Sequence, residues 1–198
     1  MKTLIVTGGT GGLGTTVVER LNLDYRCVLL SRADLADDAS VRSAIAQAGT
    51  PYGLVYMAGG YAGGAVSETS TETWQNMISV NLTTAFLAIR ETLARMDRNA
   101  PGRIVAISSE ATLTKFAGAA AYTISKTGLN TLIEMTAAEL AGTSITANAL
   151  LPGTLDTEAS RKAMPNARRV PLERVADAIL FLLSESAASI NGALIPLQ

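Results

Sequence analysis

The chain contains no histidine. Ser-His-Asp hydrolysis, zinc sites built on imidazole and imidazole acid/base catalysis are thereby excluded. Any proton transfer falls to Tyr, Lys, Asp, Glu, Ser or water. Cysteine is almost as scarce: Cys27 stands alone, so no internal disulfide can form. Its apolar neighbours predict a buried strand residue in a reducing cytosol. No metal site is expected from so few nitrogen and sulfur ligands. Charge is sparse too, with Lys+Arg 16 against Asp+Glu 17 and a net charge of −1. That balance offers no basic field for nucleic acid and no acidic tail. No apolar run approaches the roughly eighteen residues of a membrane span, and Met1–Val6 is too short for a signal peptide. The expectation is a cytoplasmic protein with neither nucleic-acid nor membrane partner.

What the chain does contain is short apolar runs in regular alternation with amphipathic segments. Leu4–Val6, Cys27–Leu30, Gly53–Met57, Arg103–Ile107, Ile145–Leu150 and Ala193–Leu197 read as strands. Between them, helices are predicted over Gly12–Leu21, from Asp37 or Asp38 to Ala48, and over Glu72–Met96, Ala120–Leu140 and Leu172–Leu183. Strands apolar on both faces, each followed by a helix, predict an α/β fold: a single doubly wound, Rossmann-type parallel sheet. The alternation runs through residues 1–198 as one domain. Only five residues separate Arg32 from Asp38, too few for the dozen or so of a parallel crossover. The usual third strand and the helix before it are therefore expected to be missing. About six strands remain, with an edge strand lost from the first half of the sheet.

Thr7-Gly8-Gly9-Thr10-Gly11-Gly12-Leu13-Gly14 lies between the first strand and the first helix. Glycine permits a tight turn, close approach of the backbone to a pyrophosphate, and close packing of helix on strand. The helix N-terminus adds free N–H groups and partial positive charge. Dinucleotide binding is therefore assigned to Gly8, Thr10, Gly11, Gly12, Leu13 and Gly14. No Lys-Ser/Thr follows the glycines, so the turn is not a P-loop.

Tyr122 and Lys126 are spaced i, i+4, on one face of a predicted helix. A phenol is a poor acid/base near neutrality, and an adjacent lysine and an oxidised nicotinamide both favour the phenolate. Such a pair is commonly a surface pair. Here Ser108 and Ser109 end the strand Arg103–Ile107, and strand carboxyl ends are where open α/β sheets bind ligands.

On these motifs the sequence resembles the short-chain dehydrogenase/reductase family over essentially its whole length. The glycine turn matches the family's cofactor motif. The resemblance implies a catalytic tetrad of Asn81, Ser109, Tyr122 and Lys126. In it Tyr122 exchanges the substrate proton and Ser109 binds the substrate oxygen. Lys126 holds the ribose hydroxyls and lowers the Tyr122 pKa, and Asn81 holds a relay water. Asn148 with Pro152, Gly153, Thr154, Leu155 and Thr157 resembles the stretch that holds the nicotinamide half.

The run Ala58-Gly59-Gly60-Tyr61-Ala62-Gly63-Gly64 departs from the family's main branch and is similar to dihydropteridine reductase, as is Leu151–Thr157. The resemblance implies cofactor contacts at Ala58, Gly59 and Gly60, and a Tyr61 that stacks on a flat heterocyclic substrate. Against that branch, Ser109 and Asn81 are both present. At the end of the second strand Ser31 replaces the Asp that would bind a ribose 2′-OH, and Arg32 follows it. That favours NADP over NAD. Asp34 and Leu35 are assigned to the adenosine end, with Asp34 arguing the other way. Leu155–Val170 reads as a mobile substrate lid, whose basic residues suit either an anionic substrate or solvent.

Three readings remain open. The first is an NAD(P)-dependent reductase of a small carbonyl or a dihydropterin-like ring. The second is a 3-oxoacyl or hydroxysteroid-type dehydrogenase. The third is a catalytically silent dinucleotide sensor, against which the complete tetrad counts. Surplus apolar surface on Glu72–Met96 and Ala120–Leu140 predicts a homodimer, with a tetramer as the alternative assembly.

Overall fold

The computed structural model describes residues 1–198. Six parallel strands carry the fold: β1 (Lys2–Thr7), β2 (Tyr25–Leu30), β3 (Gly53–Tyr56), β4 (Gly102–Ile107), β5 (Ile145–Pro152) and β6 (Leu194–Leu197). Their order in the sheet is β2-β1-β3-β4-β5-β6. The chain leaves β1 toward one edge and resumes at β3 toward the other, so the switch point lies between β1 and β3. The third strand of the first half is absent, and β2 is an edge, as the short stretch after Arg32 implied.

The helices are α1 (Gly12–Leu21), α2 (Asp38–Ala46), α3 (Thr71–Ile78), α4 (Thr84–Leu93), α5 (Ala111–Thr114), α6 (Ala120–Glu139), α7 (Glu158–Ala163) and α8 (Leu172–Leu183). Local chemistry sets several of their ends. Asp37 caps α2 by accepting from Ser40 N at 2.9 Å, and Ser70 caps α3 by accepting from Thr73 N at 3.1 Å. Strand residues alternate between the two faces. Leu4 and Val6 pack with Val17 and Leu21 of α1 and Val175 and Ile179 of α8. Ile5 and Leu54 pack with Val41 and Ile45 of α2, Ala88 and Ile89 of α4, and Leu129 and Ile133 of α6. Each such valine, leucine or isoleucine side chain, withdrawn from water, contributes about 1.5–3 kcal/mol.

Two expectations need correction. The predicted single helix Glu72–Met96 is interrupted by a π-helical turn at Ser79–Thr83 and ends at Leu93. Its cause is tertiary, a clamp made by Asn81 described below. The second strand is also less buried than its apolar sequence implied: Cys27 is half-buried and Leu29 is 46% exposed. Loss of the neighbouring strand leaves that edge uncovered. At the other edge, Ala193 and Leu197 turn their carbonyls inward to Ala149 N and Gly153 N. Alternation then points position 196 outward, and Pro196 has no N–H to present there.

The segment Leu155–Val170 contains α7 and is closed at its base by a bridge between Leu155 and Val170. Thr157 and Ser160 form a reciprocal capping box at the start of α7. Two of its basic residues are paired within the segment: Arg161 with Asp156 at 2.7 Å, and Lys162 with Glu158 at 2.6 Å. Arg169 reaches the carbonyls of Met164 and Ala167.

Candidate active site

The carboxyl ends of the strands around the switch point open into a cleft of about 400 Å³. Gly8, Gly11, Gly12, Leu13 and Gly14 line one part of it, and Ser109, Tyr122 and Lys126 another. Gly59, Gly60 and Tyr61 from the loop after β3, and Pro152, Gly153, Leu155 and Thr157 from the chain after β5, complete its walls. Fifteen predicted site residues thus meet in one place, drawn from five separate segments.

The glycine turn has the properties of a phosphate cradle. Gly8 takes φ +69°, and a Cβ there would lie 2.8 Å from Ala58 N. A Cβ on Gly14 would overlap the carbonyl oxygen of Gly8. Neither position has room for a side chain. Gly11 precedes α1 with no side-chain cap, so the first N–H groups of the helix stay free for an anion. Thr7 steadies the turn from below, its Oγ1 accepting from Met57 N and Ala58 N at 3.1 Å each.

The polar end is built on β4 and α6. Lys126, 5% exposed, donates from Nζ to Ile107 O at 2.9 Å. An ammonium carries three protons, so two remain to meet hydroxyls in the cleft. These features fit a dinucleotide: a cradle without side chains for its phosphates, and a buried ammonium with spare donors for a ribose. Burial lowers the Lys126 pKa to about 8 from an ordinary 10.5. The folded lysine gives up its proton near pH 8, whereas the unfolded one keeps it to 10.5. Between those values the unfolded chain binds more protons, so this group makes stability rise with pH. Over that window the increment is about 3 kcal/mol. Lys126→Met should remove the rise, as read from urea midpoints between pH 7.5 and 10. An unchanged pH dependence would show that Lys126 is not desolvated.

Tyr122, in the first turn of α6, has its pKa raised by burial. The nearby Ser109 hydroxyl opposes the rise, and the neighbouring Tyr61 adds to it. The Lys126 ammonium, one turn further along α6, is directed to Ile107 O. Ser109 Oγ accepts from Ala111 N at 3.2 Å, so its own proton is free for Tyr122 or a substrate oxygen. The Tyr61 ring meets Tyr122 edge-on, with centroids 5.0 Å apart and an interplanar angle of 67°.

Asn81 is completely buried in the π-turn and does not line the cleft. Its Oδ1 accepts from Gly60 N at 2.9 Å, and its Nδ2 donates to Gly60 O and Ser125 Oγ, each at 3.0 Å. The side chain thus holds the Gly59–Tyr61 loop against α6. The extra residue of the π-turn fits this inward reach.

At the adenosine end the outcome is mixed. Ser31 donates from N and Oγ to Asp34 Oδ2, at 2.7 and 2.6 Å. Those bonds hold the Asp34 carboxyl below its usual pKa range. The Arg32 side chain is exposed and makes no hydrogen bond or ion pair within the chain. Leu35 is a correction: it is 5% exposed and packs in the core with Leu30 and Val41. Being apolar beside a core face, it is drawn inward from the expected adenosine surface. Thr10, Ala58 and Thr154 also stand outside the cleft lining. Thr10 is exposed, Ala58 N is spent on Thr7, and Thr154 O accepts from Val170 N. Asn148 serves the sheet, bonding Ile190 O and Ala193 N.

Met57 and Ile107 line the cleft but were not singled out from the sequence, and Ser108, noted there at its strand end, was given no role. The signal was available, since all three end or directly follow strands at carboxyl edges.

A family model described as short chain dehydrogenase matches residues 22–168. The chain belongs to the short-chain dehydrogenase family. This dehydrogenase is 34% identical over 186 residues to a 2-(R)-hydroxypropyl-CoM dehydrogenase of Xanthobacter autotrophicus, spanning 84% of the chain and 74% of the relative. It is 29% identical over 225 residues to a 3-oxoacyl-[acyl-carrier-protein] reductase of Mycobacterium tuberculosis, spanning 100% of the chain and 91% of that protein. Among solved structures, a short-chain dehydrogenase/reductase from Serratia marcescens superposes with a TM-score of 0.84 at 29% identity. That superposition covers 99% of this dehydrogenase and 95% of the other chain. The protein is thus an oxidoreductase of a family that uses NAD(P).

Proposed function

We propose that the protein reversibly reduces a small carbonyl compound to an alcohol, with Tyr122 as proton donor and acceptor. The observation that carries this is the convergence of Ser109, Tyr122 and Lys126 at one end of the cleft whose other end is the glycine turn. A nicotinamide dinucleotide, when bound, supplies or accepts the hydride at the carbonyl carbon. The chain's own residues manage the oxygen. Ser109 donates to it, Tyr122 passes it a proton as the C=O bond becomes C–O–H, and burial limits competition from water. Lys126 and the glycine turn, with Pro152, Gly153, Leu155 and Thr157, bind and orient the cofactor. Asn81 fixes the loop that closes this space. The two enzymes compared above act, by their names, on a secondary alcohol and a 3-oxoacyl group, which supports carbonyl/alcohol chemistry.

Tyr61 favours a second substrate class. Its ring is 63% exposed while its edge contact with Tyr122 holds it at the site. A flat heterocycle such as a dihydropterin could stack there. Oxidation of NADPH with a panel of small ketones, 3-oxoacyl thioesters and quinonoid dihydropterin separates these readings. Turnover of none of them, together with tight cofactor binding, would point instead to a dinucleotide sensor.

The same reading favours NADP(H). Arg32 is an unpaired cation at the end of β2, free to meet a 2′-phosphate, whereas Asp34 is occupied by Ser31. Arg32→Ala should weaken NADPH binding about tenfold and leave NADH binding unchanged. Equal losses for both cofactors in a fluorescence titration would overturn the preference. The apolar surface of Phe86, Ile124 and Met135, each close to half exposed, supports a homodimer through α4 and α6. Light scattering at twice the chain mass would bear that out, and the chain mass alone would refute it.

A further inference from the structure

Beneath Ser109 lies a buried polar chain that takes no part in the reaction just described. Thr112 and Asn130 are each 5% exposed. Thr112 Oγ1 donates to Ser109 O at 2.8 Å, and Asn130 Nδ2 donates to Thr112 Oγ1 at 3.0 Å. The proton order is fixed. Thr112 has one hydroxyl proton, and Ser109 O can only accept, so Thr112 must receive from Asn130. Asn130 sits one turn beyond Lys126 on α6, the helix that also carries Tyr122.

We propose that Thr112 and Asn130 are positioning residues, which tie the backbone of Ser109 to α6 and so set the approach of its hydroxyl to Tyr122. The proposal deepens the reading of Ser109 and Tyr122 as the proton-handling pair and rests on it.

Two observations argue against simple packing. Asn130 Oδ1 is buried and finds no partner within the chain, and an unpaired buried acceptor costs stability. Leucine would fill that space without the cost. In addition, Ser109 already has a local brace, since its carbonyl accepts from Thr112 N at 3.1 Å. Asn130 therefore adds a long-range tether rather than a missing backbone partner. Geometry at this point matters because displacements of about 1 Å can slow an enzyme by about a hundredfold.

The test uses Asn130→Leu, Thr112→Val and Thr112→Ser in the full chain, and reads the Tyr122 pKa by NMR with ring-labelled tyrosine. Tyr122→Phe identifies the signal. Because Ser109 holds the phenol pKa down, a loosened Ser109 should let it rise by about half a unit. The shift is expected in Asn130→Leu and Thr112→Val and should be absent in Thr112→Ser. Asn130→Leu should also melt no lower than the parent. On a substrate that is turned over, kcat should fall about tenfold with little change in cofactor affinity. An unmoved Tyr122 pKa in a folded Asn130→Leu protein overturns the proposal. So does a loss of Tm with the pKa in place, which would mark a structural role only. Since the NMR reading needs no turnover, absence of carbonyl reduction would count against the proposed function without deciding this one. If Thr112→Val fails to fold, Asn130→Leu carries the test alone.

Discussion

Replacing Tyr122 by phenylalanine is expected to lower kcat on the order of a thousandfold and to leave dinucleotide affinity within about twofold. The ring remains, so its edge contact with Tyr61 is kept. What is lost is the one phenolic proton placed beside Ser109. Lys126 is tethered by its Nζ to Ile107 O rather than to Ser109. No histidine exists to take over. The parent enzyme's reductive rate should decline at high pH, as a phenol lifted above its ordinary value ionises. Single-turnover reduction at saturating NADPH checks the rate, and a fluorescence titration checks the affinity. A Tyr122→Phe enzyme with parental turnover would leave the proposed chemistry without its proton donor.

Gly14→Ala is expected to have the largest effect on the cofactor end. Alanine is normally the better helix former, by about 1 kcal/mol, so propensity alone predicts a gain. Packing reverses the sign, because the added Cβ would overlap the carbonyl oxygen of Gly8 and crowd the backbone of Gly9. That obstacle is backbone, with no flexible end that can turn aside. Either the turn or α1 must move, at a cost of about 2–3 kcal/mol. Cofactor affinity should fall by a factor of a hundred or more, since the phosphate cradle is the part displaced. Gly49→Ala is a useful contrast, because an added Cβ there meets nothing within 4 Å. Its φ of +70° is strained for alanine, so it should lose stability while binding the dinucleotide normally. Denaturant midpoints with and without NADPH separate the two. Equal binding by both variants would refute the cradle.

The parts of this fold that sequence reveals are those fixed by local chemistry. The bounds of α1 and α8 follow from the glycine turn, from Pro171 and from their apolar faces. The count of six strands follows from how few residues separate Arg32 and Asp38. Tyr122 and Lys126 are legible because helical spacing alone places them on one face. The π-turn is not legible in that way. Nothing in Ser79–Thr83 forbids an α-helix, and the distortion answers to Gly60, a residue far away in sequence that Asn81 holds at both N–H and C=O. Leu35 was misplaced for a related reason. It was assigned with Asp34 to the adenosine end, while its side chain had an apolar face of the sheet within reach. Lys126 shows the same limit, since the i, i+4 spacing reveals that it is near Tyr122 but not that Ile107 O holds its ammonium.

The missing strand has a consequence for how this sheet meets other chains. Parallel sheets of this kind end in two edges, and each edge is a template for further strands unless something blocks it. At β6 the outward position is Pro196, which cannot donate, and the strand spans only Leu194–Leu197. At β2 there is no such stop. Tyr25–Leu30 is longer, contains no proline, and exposes Leu29 beside backbone groups that face no other strand. The two edges of the sheet therefore differ, one closed by a proline and one open. Arg26, a charge set within that open strand, is the residue best placed to keep a second copy from adding to it.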